Sequence, residues 1–178
     1  LLFAIQENKR RFKTKALYFK DFQRILNHVF CLASLPESEK KELTNIEQDS
    51  IRKNKVFQTL ERIPLPQKAK EIFELATKDW EGNWTVALDK IRQLNALFID
   101  SFGENYEFEK TAVQVLDQAL RGFDALLKEG IPTMEMRSFK LLLNQHWSTT
   151  NIAFHGNPTN GLQIMGLLET RMLDFKNL

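Results

Sequence analysis

Cysteine is almost missing from this chain. Cys31 is the one copy in 178 residues. No disulfide and no cysteine-based zinc site can be built from it, and a cytoplasmic location is the expectation. Glycine occurs 7 times and proline 5 times, below the usual shares of roughly 7% and 5%. So few breakers favour long helices over a many-turned β fold. No apolar run approaches the roughly 18 residues needed to span a bilayer. "LLFAI" at residues 1–5 is too short for a signal peptide and runs into charge instead of a cleavage site. A start on leucine, without methionine, is expected of a piece of a longer protein.

Catalytic signatures are missing too. There is no G-x-x-x-x-G-K-[ST] loop to cradle a phosphate and no G-x-S-x-G elbow. His28, His146 and His155 have no spacing that would bring two imidazoles to one metal. The carboxylates are scattered, and no two are marked as an acid/base pair. Nor does one sign of charge dominate: 25 basic residues face 23 acidic ones, for a net charge of +2. A generic electrostatic nucleic-acid binder would need a stronger single-sign field.

What is present is material for a helical core. Apolar residues make up 43% of the chain and charged residues 27%, a globular composition for one domain with a small appendage. Residues 15–33, "KALYFKDFQRILNHVFCLA", place Tyr18, Phe19, Phe22, Ile25, Leu26, Val29 and Phe30 at helical spacing, which predicts one core-facing helix. His28 sits at the edge of that stripe, and Cys31 is expected as a small buried hydrophobe. Ser34 with Glu37 three residues on, and Pro36 between them, has the pattern of a capping box opening a polar, peripheral helix.

"RIPLPQ" at 62–67 breaks the period. A helix is expected from about Pro66, with Ala69, Ile72, Phe73 and Ala76 inward. Asn83 is placed to cap the next, which carries Trp84, Ala87, Leu88, Ile91, Leu94, Leu97 and Phe98 on one side. Residues 105–128 form the longest expected helix, with Phe108, Ala112, Val115, Leu116, Ala119, Leu120, Phe123, Leu126 and Leu127 inward. Gly130 supplies a left-handed stop. A last helix over 133–147 would bury Met136, Phe139, Leu142 and Leu143. The fold class expected is therefore mainly α, about six helices with a short C-terminal β-hairpin-like piece. Residues 151–155 and 162–166 read as its two strands, with Asn160–Gly161 between them as a tight-turn dipeptide.

Two stretches carry function. "NKRRFKTK", residues 8–15, holds five positive charges and no negative one. It reads either as a solvated segment before a helix or as a phosphate-contacting patch of Lys9, Arg10, Arg11, Lys13 and Lys15. "GLQIMGLLETRMLDF", residues 161–175, reads as a strand, then a loop exposing Glu169, Thr170 and Arg171, then an apolar anchor of Leu173 and Phe175. Arginine at such a loop suits a phosphate; the competing reading pairs Arg171 with Glu169 or Asp174. Trp80, Trp84 and Trp147 could stack on bases, but Trp84 and Trp147 lie on apolar helix faces, where a core role is expected.

The second stretch resembles the late motif block of UvrD-like superfamily 1 helicases, which runs strand, T-x-H-x-x-K-G-L-E-F, strand. Gln163, Ile164 and Met165 fall on the family's strand, and Leu173, Asp174 and Phe175 on its L-E-F. Arg171 takes the lysine position, Gly166 the threonine, Leu168 the histidine and Met172 the glycine. With the histidine and glycine replaced, the resemblance argues against ATP coupling at this loop. The wording, preceded by "HGNPTNG", is more similar still to AddB-like helicase–nuclease proteins, which keep the helicase scaffold with degenerate motifs and carry a PD-(D/E)XK nuclease domain.

That resemblance implies a division at residue 147. Residues 1–147 would be a 2B-like helical subdomain, and 148–178 a β segment of a RecA-like helicase domain. The implied role is non-catalytic: DNA-backbone contacts through Lys9, Arg10, Arg11, Lys13, Lys15, Thr170 and Arg171, beside a motif block of Gln163, Met165, Glu169 and Asp174. DNA and a helicase partner subunit are the implied partners, with no membrane. ATP and magnesium would belong to an ATP-dependent helicase- or nuclease-like hydrolase of which this is a part, with no cofactor in the piece itself. The alternative expectation is a helical protein–protein interaction module with no direct nucleic-acid role.

Overall fold

Eleven residues that local pattern leaves outside any helix start the fold as one. In the computed structural model, which describes residues 1–102, 106–130 and 134–149, helix α1 spans Leu2–Phe12. It closes in a Schellman turn: Lys13 is left-handed (φ 49°, ψ 42°), its N–H reaches the Arg10 carbonyl, and the Thr14 N–H reaches that of Lys9. The basic tract thus covers the last turn of a helix, where Lys9, Arg10 and Arg11 meet the negative end of the helix dipole, and the turn that follows with Lys13 and Lys15.

Seven more α-helices follow among the described residues: α2 (Phe19–Leu26), α3 (Val29–Ser34), α4 (Glu37–Arg52), α5 (Gln67–Thr77), α6 (Trp84–Ile99), α7 (Glu107–Lys128) and α8 (Met136–Ser148). Two short strands, β1 (Leu17–Tyr18) and β2 (Phe57–Gln58), pair antiparallel with Leu17 opposite Gln58 and Tyr18 opposite Phe57. The class is mainly α with a small antiparallel sheet. That sheet sits beside α1, while the strands expected at 151–155 and 162–166 lie outside the described residues. Among the described residues, no helix is long and apolar enough to cross a membrane.

α6 and α7 are the spine. Arg92 donates to the Leu120 carbonyl at 3.2 Å and Asn95 to that of Val113 at 3.3 Å, so the two helices run in opposite directions. Two apolar clusters flank the spine. The first gathers Phe22, Ile25, Cys31, Leu43, Ile72 and Phe73 around Leu94, Phe98 and Val113. The second gathers Trp80, Trp84, Leu88, Phe139 and Leu143 around Ile91, Leu120 and Phe123. Phe139 is fully buried, its ring 5.8 Å from Trp84 and 5.9 Å from Phe123, a packing whose loss to alanine costs about 3–5 kcal/mol.

Four local expectations need correction. The helix expected over 15–33 is broken in two. Asn27 turns its amide back onto the Gln23 carbonyl, His28 is extended, and His28 Nδ1 accepts the Phe30 N–H; the two polar side chains compete with the helix backbone and start a new one. Phe22, Ile25 and Leu26 are buried as expected, but the break turns Val29 outward. Ser34 closes α3 by donating to the Cys31 carbonyl at 2.9 Å. It does not cap α4, which begins at Glu37 with no side-chain cap. Phe108 is exposed and Val113 fully buried. Counting back from the Asn95–Val113 contact along antiparallel helices, Phe108 lies past the end of α6, which leaves it exposed. In α8, Phe139 and Leu143 are buried at i, i+4 while Leu142 is exposed.

Three other local expectations on described residues hold. Ala69, Ile72, Phe73 and Ala76 are buried on α5. Asn83 Oδ1 accepts the Thr85 N–H at 2.9 Å at the start of α6. Gly130 has φ +78° after α7.

Candidate nucleic-acid interface

Helix α1 is tied along one side to the connection between α5 and α6. Gln6 Nε2 donates to the Lys78 carbonyl at 2.7 Å, and Gln6 Oε1 accepts the Trp80 N–H at 3.2 Å. One turn on, the Lys9 ammonium donates to the Thr77 carbonyl. That carbonyl is at the C-terminal end of α5, where the helix leaves acceptors unfilled. The connection itself turns tightly, with Glu81 and Gly82 both left-handed (φ 52° and 70°) and the Asn83 N–H on the Trp80 carbonyl at 2.8 Å. These bonds hold Asp79, Trp80 and Gly82 against α1.

The start of α8 supplies the facing wall. The result is a groove of about 710 Å³ lined by Phe3, Gln6, Glu7, Lys9, Arg10, Lys13, Thr14, Lys15, Asp79, Trp80, Gly82, Met136, Arg137 and Lys140. Six cationic side chains face two carboxylates there, an excess larger than the +2 of the whole chain. Trp80 packs edge-on against Phe3 with centroids 5.0 Å apart, and its buried Nε1 has no acceptor.

The cations of the groove are not equivalent. Lys9 is half-buried on its carbonyl. Desolvation holds its pKa below the usual lysine value, with Asp79 and Glu61 pulling weakly the other way. Lys140 lies over the Phe3 ring at 5.6 Å. Arg10, Lys13, Lys15 and Arg137 are exposed and make no side-chain ion pair among the described residues. Several cations outside the groove do pair: Lys40, Lys53, Lys70 and Arg121 each meet a carboxylate three or four residues away in sequence. Unpaired cations converging from two walls make a surface that attracts phosphate without first breaking an ion pair.

Of the residues singled out from sequence, Arg10, Lys13 and Lys15 line this groove, Lys9 anchors it, and Arg11 stands outside it with its guanidinium 5.7 Å from the Phe12 ring. Gln163, Met165, Glu169, Thr170, Arg171 and Asp174 lie outside the described residues. Arg137 and Lys140 belong to no charged run, and sequence reasoning passed over them. Trp80 and Trp84 are buried and Trp147 packs against the second cluster, so the tryptophans serve the core. Cys31 is buried, and desolvation pushes its thiol up to about 12, which leaves no thiolate for nucleophilic chemistry. Among the described residues, no group of three His, Cys, Asp or Glu could hold a metal ion. No protein-family model matches this chain, and neither does any curated protein or any solved structure.

Proposed function

We propose that this chain is a non-catalytic DNA-contacting module of a larger AddB-like repair helicase–nuclease, and that the groove between α1 and α8 takes the phosphate backbone. One observation carries the reading: six cations from α1, the turn after it and α8 converge on one groove, and none of them is in an ion pair among the described residues. Backbone contact needs no base-reading side chains, which suits a positioning role. In this reading residues 1–147 are the 2B-like insertion, the motif-block residues 163–175 belong to the neighbouring RecA-like domain, and ATP and magnesium act in the larger protein. The protein works in the cytoplasm, beside a helicase partner subunit.

The test is fluorescence anisotropy with a labelled oligonucleotide at low salt. Binding that weakens steeply as salt rises supports the reading, and no binding at 50 mM salt removes it. A second reading, a helical protein-interaction module, draws on Leu141 and Leu142, which are both exposed on α8. DNA-independent capture of a partner that leucine-to-serine changes at these two positions abolish would favour it.

A further inference from the structure

Three aromatic rings stand together outside both apolar clusters. Phe12 ends α1, Tyr18 lies on β1, and Phe57 lies opposite Tyr18 on β2. The ring centroids are 5.4 Å apart for Phe12 and Tyr18, 5.2 Å for Phe12 and Phe57, and 5.5 Å for Tyr18 and Phe57. Such a triangle could simply pin the end of α1 to the sheet. Burial argues against that as its whole role: Phe12 and Phe57 remain 41% and 42% exposed, far more than the rings of either core.

The surroundings are cationic. The Arg11 guanidinium is 5.7 Å from the Phe12 centroid. Lys13 and Lys15, in the segment joining Phe12 to Tyr18, both line the phosphate groove. Along the chain, then, residues 13–15 lead from the triangle on one side of α1 to the groove on the other.

We infer that Phe12, Tyr18 and Phe57 form a base-stacking platform for single-stranded nucleic acid whose backbone lies along Lys13 and Lys15. The inference rests on the phosphate-groove reading and specifies its ligand. Exposed rings attract the π-faces of bases, and adjacent cations hold the strand that carries them. A duplex keeps its bases stacked on one another and offers this surface only backbone. A membrane or protein ligand would use the rings without needing a base.

The test compares three labelled ligands on the intact chain at one low salt concentration: an oligothymidine, an abasic strand of the same length and charge, and a duplex. The oligothymidine is expected to bind at least about tenfold tighter than the abasic strand, from stacking of one or more bases. Phe12→Leu and Phe57→Leu keep an apolar side chain but no ring, and should abolish the difference while leaving abasic binding and the melting temperature nearly unchanged. Equal binding of the oligothymidine and the abasic strand overturns the platform and leaves the groove standing. So does a preference for duplex, or leucine variants that keep full oligothymidine affinity. Failure of all three ligands to bind overturns platform and groove together.

Discussion

Replacing both Lys13 and Arg137 with alanine removes one cation from each wall of the groove, and the consequence can be sized from the structure. Five groove cations are exposed residues: Arg10, Lys13, Lys15, Arg137 and Lys140. If each neutralises one phosphate of a single strand, the slope of log K against log salt is about −3.5. Binding then falls by about a hundredfold between 50 and 200 mM salt. With three contacts left the slope becomes about −2, and the same salt step costs about twentyfold. Anisotropy titrations at several salt concentrations read both slopes. The control is a variant losing Lys53 and Lys70, whose ammonium groups meet Asp49 at 2.8 Å and Glu74 at 3.9 Å. It loses the same net charge at sites already neutralised and should keep the original slope. A control that flattens the salt dependence as much as the groove variant would mean that only net charge matters, and the groove argument fails.

Three further outcomes are expected. The Asp21 carboxylate is 1% exposed and takes the Asn8 amide at 2.8 Å, so Asn8→Ala should cost about 2 kcal/mol. Arg24→Ala, at a 3.6 Å pair whose arginine is 58% exposed, should cost under about 1 kcal/mol; urea denaturation that ranks them the other way refutes the assignment. Burial lowers the His28 pKa below its usual value. The unfolded chain therefore holds the proton more readily. This contribution to stability is complete above the ordinary histidine pKa and is lost as pH falls through the folded one. Because His28→Asn retains an acceptor for the Phe30 N–H, the urea midpoint should drop less between pH 7 and pH 5 in the variant than in the parent chain. A thiol raised to about 12 should resist iodoacetamide at pH 8 in the folded protein and react once urea unfolds it; rapid labelling of the native state would show that Cys31 is not enclosed.

Helix faces were legible because they depend on residues three and four apart. α5 and α6 follow their apolar stripes, and Asn83 caps α6 through a bond to a neighbour two residues away. The errors have two sources: polar side chains that compete locally with the helix backbone, and partners distant in sequence. The stripe at 15–33 is continuous on paper, but two local polar side chains at Asn27 and His28 break it. Phe108 fits the α7 face, yet α6 ends before reaching it. Two-residue strands carry no period, and β1 with β2 exist because the segments after α1 and after α4 meet side by side.

The basic tract shows the same division. Five cations in eight residues are visible in the chain, and charge density alone suggested a phosphate contact. Composition and spacing also determined the mainly helical class, because periodic burial is a short-range property. Only the tertiary structure decided that Lys9 is tied to a carbonyl, that Arg11 lies outside the groove, and that Arg137 and Lys140 complete it. An electrostatic surface is a sum over side chains brought close in space. The packing of α1 and α8 around Phe3, Trp80 and Phe139 makes residues at opposite ends of the described chain into neighbours.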